Sequence, residues 1–391
     1  MDFALRCHQI YYRSRKICNL VTVIRKYSNM KISMIILLGC FTQLAMAQEI
    51  PMFIGTYTHA GSQGIYLYMF DQQSGEATMY SSTASEHPSF LTRSAKGDML
   101  YAVNETGDST AALSVFTFDG DILSFVDAMP TGGSYPCHVA VSKRHPLAVV
   151  SNYGGGSLSV YRLGENGGLV EKIQHIQQEG TGPDSARQEA SHVHSAFFTP
   201  DEKHVYVQNL GTDMVTVYRV DTNNNYRLIE EGHLSTPAGG GPRHLVFDEH
   251  GKNSYVLLEM TAKIAHYEKN GENWILVDTI SINEDGFEGD NGAAEIKRSA
   301  DGKFIYATNR GDANTITLFA IDKSGKLERK KVYPTGGEGP RNFNLSPDGR
   351  FLLVANQKTN NITVFERNME TGELKDTGKQ IEVSTPVCIV F

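Results

Sequence analysis

The chain repeats one unit at a period of about fifty residues, a spacing that belongs to radially arranged or stacked modules. Each unit opens on a short strand pattern, often after a proline: HPSFLTR (His87–Arg93), YPCHVAV (Tyr135–Val141), GPRHLVF (Gly241–Phe247) and GPRNFNL (Gly339–Leu345). A turn such as SADGK or SPDGR follows. A second strand then closes on a polar pair, as in LYAVNE, AVVSNY, VYVQNL, IYATNR and LLVANQ. Asn104, Asn152, Asn209, Asn309 and Asn356 mark the interval, and Leu258 fills the missing slot. A third strand (VTVYRV, ITLFAI, ITVFER) and a looser fourth complete the unit. Four strands at this period make one propeller blade, and strand twist lets such blades pack face to face around an axis.

The chain ends fix the count. PMFIGTYT near residue 51 resembles a second strand without its first, and TPVCIVF at the end resembles a first strand without its second. Together they supply one shared blade beside six internal units. The fold class is therefore all-β: a seven-bladed β-propeller of four-stranded antiparallel blades, its ring closed by the N- and C-terminal strands. A WD-repeat propeller is excluded by the single tryptophan, Trp274. A β-sandwich gives no reason for seven copies of a Pro-started unit.

The first fifty residues follow another pattern. Lys31, the apolar Ile32–Leu38 and Ala45-Met46-Ala47 have the layout of a secretory signal that is too short to span a bilayer. Residues 1–47 are read as a leader, with 1–29 an overcalled start, and 48–391 as a single propeller domain. Cleavage after Ala47 predicts an exported protein, periplasmic or extracellular; without a working signal it would be cytoplasmic. Cys40 in LLGC is an alternative, lipidated cleavage point. Past Ala47 only Cys137 and Cys388 remain, which is no disulfide framework, and both read as core residues. The net charge of -8 argues against a nucleic-acid partner. A monomer is expected.

In such a ring, the starts of the inner strands and the residues just after the second strands meet at one mouth of the central channel. This hub gathers Glu105, Cys137, His138, Asn152, Tyr153, His194, Arg243, His244, Glu259, Glu295, Arg310 and Arg341. Arginines, histidines and carboxylates crowded into one bowl must be paired or used, and such collections bind anionic ligands. Each has a plainer reading. Arg243 and Arg341 could bridge blades, Glu259 could merely hold Arg243, and His138 could be a hydrogen-bonded wall residue. His192-x-His194 would place two imidazoles on one face of a strand, but no third ligand follows at a recognisable spacing, so neither metal nor cofactor is expected. No Gly-x-Ser-x-Gly elbow is present, which disfavours a serine nucleophile. Gly154–Gly156 lacks the strand–loop–helix context of a phosphate loop.

GTYTHAGSQGIYLYMFD, HSAFFTPDEKHVYVQNLGTDMVTVYRV, GPRHLVFDEHGKNSYVLLE and ADGKFIYATNRGDANTITLF, in this order, resemble the seven-bladed lactonase family over residues 51 to 391. That family includes propeller-type 6-phosphogluconolactonases and carboxymuconate lactonizing enzymes. The resemblance implies a metal-independent lactonase acting on a sugar-acid lactone, with His194, Arg243, Glu259 and Arg310 as catalytic group. Glu105, His138, Asn152, Tyr153, His244 and Arg341 are expected to contact the substrate. The general base is either Glu259 or His194. Two alternatives remain open: an exported sugar-acid-binding propeller without catalysis, and an isomerase of the carboxymuconate type. The leader sits uneasily with a phosphorylated, cytoplasmic substrate.

Overall fold

The computed structural model describes residues 49–391 apart from Glu272, so the expected leader, cleavage site and Cys40 lie outside the described residues. The described chain forms seven four-stranded antiparallel sheets. Their inner strands are Leu91–Arg93, Pro136–Val141, Val193–Phe198, Pro242–Phe247, Ala293–Arg298, Pro340–Leu345 and Pro386–Val390. Each packs beside the next, and Pro386–Val390 returns to Leu91–Arg93, closing the ring. The last inner strand pairs with Glu49–Thr56, matching Phe53 to Val390 and Ile54 to Ile389. The shared blade is thus present as expected.

Both faces of every blade are covered, which explains why second strands such as Met99–Asn104 and Phe351–Asn356 are buried at every position. Alternate residues pack to opposite neighbours. In the shared blade, Met52 and Ile54 join Phe351, Leu353 and Val364 of the preceding blade. Phe53 and Leu67 join Leu100 and Phe116 of the following one. The outer strands face water and read as polar, as in Leu169–Gln177.

One irregularity recurs and shapes the channel mouth. Near the start of the inner strands the pairing slips by one residue. Pro136 pairs with Asn152 but His138 with Ser151, which leaves Cys137 over. The same slip leaves over His194, Arg243 and Arg341. Ala293–Ile296 and Pro386–Cys388 carry it as well. A bulge inserts an unpaired residue and re-aims its side chain. The slip therefore brings two successive residues, such as Arg243 and His244, to the channel at successive depths.

Candidate active site

At the mouth where the bulges lie, a basin of about 420 Å³ opens. Its floor and walls include Cys137, His194 and Arg341 from the bulges. Glu105, Tyr153, Glu259, Arg310 and Gln357 come from the residues that follow second strands. These latter residues are held by their backbone. The N–H of Glu259 donates to the carbonyl of Gly241 at 2.8 Å, that of Arg310 to Gly292 at 3.1 Å and that of Gln357 to Gly339 at 3.0 Å. The polar pairs divide their labour by strand alternation. The asparagine turns away from the basin and ties down loops, and its successor faces in.

Glu259 is the electrostatic centre. Its Oε2 accepts from Arg243 Nε at 3.0 Å and lies 3.1 Å from Arg310 Nη2, while Oε1 accepts from Arg187 Nη2 at 2.6 Å. Burial alone would raise this carboxyl, but Arg310, Arg243 and Arg187 outweigh it and hold its pKa at about 2. It is therefore ionised at neutral pH. His194 stands beside it, Nε2 3.9 Å from Glu259 Oε2. Burial, then the charges of Arg243, His244, Arg341 and Arg310, push His194 well below its ordinary range, so it is neutral. Arg310 is lowered to about 10 by burial, against the pull of Glu259.

Arg341 is different. Among the described residues its guanidinium has no carboxylate within ion-pair distance, and it lies 5.5 Å from the centre of the Tyr57 ring. Tyr57 donates instead to Glu105 Oε2 at 2.8 Å. Lys358 also lines the basin. Glu259 compensates one of its three arginines in full, so the basin carries net positive charge and suits an anionic ligand.

The expected residues fall into two layers. His194, Glu259, Arg310, Arg341, Glu105 and Tyr153 line the basin. Arg243 lies under its floor, 3 % exposed, bonded to Glu259 and to the carbonyl of Ala294. His244 is deeper still, its Nδ1 2.8 Å from Glu295 Oε1. His138 does not line the basin; its ring packs tilted against Phe90, centroids 4.3 Å apart, in the channel wall. Asn152 is fully buried and donates to Ser157 Oγ at 3.1 Å, away from the basin. These three are placed too deep to touch a molecule held in the basin. His192, the other half of His-x-His, stacks on Tyr153 with ring centroids 4.6 Å apart and lies 3.1 Å from Glu189.

Arg187 was not expected. It sits on the segment 178–192, which is longer than the other connections into inner strands. Fully buried Gln188 pins that segment, donating to Leu210 O and Asp213 Oδ1, both at 2.8 Å. The sequence signal was the length of this insertion just before the HVHS strand. Cys137, read as a core thiol, is 6 % exposed yet also forms part of the basin floor.

The model of the family described as "Lactonase, 7-bladed beta-propeller" matches residues 51–391. The chain belongs to this family. A 6-phosphogluconolactonase of Formosa agariphila is 36% identical over 346 residues, covering 85% of this chain and 97% of the relative. A Bacillus subtilis 6-phosphogluconolactonase is 31% identical, covering 87% and 97%. The solved structure of a Pseudomonas aeruginosa periplasmic gluconolactonase superposes with a TM-score of 0.82 at 31% identity, covering 87% of this chain and 98% of that one.

Proposed function

We propose that the basin opens the ring of a sugar-acid lactone, the 6-phosphogluconolactonase type of reaction. What supports this is the placement of His194 in the basin, its Nε2 3.9 Å from Glu259 Oε2, together with Arg341, which has no carboxylate within ion-pair distance among the described residues. In this reading His194 is the base. Water attacks the lactone carbonyl carbon while the His194 imidazole takes its proton. Arg310 stabilises the oxyanion. The intermediate collapses with cleavage of the ring C–O bond, and the leaving alkoxide receives the proton back from His194. Glu259, 3.9 Å away, stabilises the transient imidazolium and keeps the arginines in place. Arg243 acts through Glu259 as a positioning residue.

Arg341 and Lys358 form the anion subsite, fitting a phosphate or the product carboxylate. Proton release during opening of glucono-1,5-lactone and of its 6-phosphate, corrected for spontaneous opening, tests the reading. No excess over the uncatalysed rate with either substrate, alongside thermal stabilisation by gluconate, would favour a binding protein instead. We also propose export, on the Met30–Ala47 pattern; the Pseudomonas aeruginosa neighbour is itself described as periplasmic. Mass analysis of the mature N-terminus separates cleavage after Ala47 from lipidation at Cys40.

A further inference from the structure

The far mouth of the channel holds a second cavity, of about 430 Å³, lined by the downstream parts of the inner strands and the turns that follow. It is not a continuation of the basin. Between the two lies a layer containing Arg243, His244, Glu295 and Asn342, with a void of only about 10 Å³, room for about one water. An occupant of the second cavity is therefore a separate molecule.

The cavity combines apolar walls with a few directed polar groups, the usual make-up of a small-molecule site. Phe90 and Phe197 flank the His138 ring, with centroids 4.3 and 4.9 Å away. His138 is 3 % exposed. Its Nδ1 faces the Ala196 N–H at 3.5 Å, which assigns the ring proton to Nε2. That Nε2 has no partner among the described residues, although the ring borders the cavity.

The charges also point one way. The one lining carboxylate, Glu202, is already taken by the Ser142 hydroxyl at 2.5 Å and by the N–H groups of Lys143 and Arg144, each at 2.9 Å. Half-buried Lys297 also lines the cavity. Its upstream neighbour on the same strand face, Glu295, spends both oxygens on His244 at 2.8 Å and Asn342 at 2.5 Å. Among the described residues Lys297 has no carboxylate within 4.0 Å, although its charge helps hold Glu295 ionised.

We propose that this second cavity binds a small aromatic carboxylate, its ring against Phe90 and Phe197 and its carboxylate on the Lys297 ammonium and the His138 N–H. Benzoate is the probe, titrated calorimetrically into the whole chain, with cyclohexanecarboxylate as the non-planar control. Benzoate is expected to bind at one site, with equal affinity in wild type and Arg341→Ala. Lys297→Met should weaken it about tenfold or more, as loss of a charge-assisted hydrogen bond implies, and Lys297→Arg should restore it. Phe197→Leu provides a second variant and should weaken benzoate more than cyclohexanecarboxylate. Absence of saturable binding overturns the proposal. So does binding that survives Lys297→Met and Phe197→Leu but is lost in Arg341→Ala, because that places benzoate in the basin.

Discussion

Replacing Glu259 by glutamine keeps the shape and removes the charge that three arginines share. Arg243 and Glu259 are nearly inaccessible, with side chains 4% and 8% exposed, whereas Arg187 is 44% exposed. The cost therefore falls on Arg243 and Arg310, and water screens Arg187. Removing one member of a buried ion pair costs about 3–5 kcal/mol, because the partner is left uncompensated. The depression of Glu259 from an ordinary 4.5 to about 2 gives an independent figure. At about 1.4 kcal/mol per pH unit it corresponds to roughly 3 kcal/mol. Glu259→Gln should thus lower Tm by about 5 °C, at the one to two degrees per kcal/mol expected of a domain this large. The freed guanidiniums should also make the variant respond to phosphate more strongly than wild type in a thermal shift assay. The sign of the pH dependence follows from the depressed pKa. The stabilisation is complete above 4.5 and is lost as pH falls from 4.5 through about 2, and the variant should lack that loss. A variant as stable as wild type at pH 7, with the same acid limb, would refute Glu259 as the charge that organises the basin.

His194→Asn should retain the fold and lower kcat by about 10²-fold or more, the contribution expected of a general base; unchanged turnover would return that role to another group. Arg341→Ala should raise KM for the phosphorylated lactone far more than for the unphosphorylated one, measured as the ratio of the two kcat/KM values. His138 and His194 are both held well below 6.5, by burial first. The unfolded chain takes up protons there that the folded chain does not, so stability is full above 6.5 and falls below it. The urea midpoint should therefore be lower at pH 5.5 than at pH 7.5, and His138→Gln should reduce that difference. Deleting residues 386–391 removes the buried Val387, Cys388 and Ile389, about 2 kcal/mol each, and should abolish a cooperative calorimetric transition because the ring opens.

The ring was legible because its signals are local and repeated. Proline before a strand and asparagine at the end of the next recur at one period, and any single copy would be weak. The site was legible only to the resolution of that repeat. Position after the proline led to His194 and Arg341, which line the basin, but it also promoted His138 and His244, one residue further on, which do not. What separates them is the bulge, which puts two consecutive side chains on the channel side at different depths. A strand read by strict alternation would send one of the two to the opposite face. Asn152 shows the same limit in the second strand, where the conspicuous residue is structural and the less conspicuous Tyr153 faces the basin. Arg187 lies outside the periodic pattern, on an insertion whose path is set by Gln188 reaching Leu210 and Asp213, residues more than twenty positions away. No local pattern encodes that reach. Yet Arg187 makes the shortest of the contacts to Glu259, so the charge state of the basin depends in part on the one segment that the repeat does not describe.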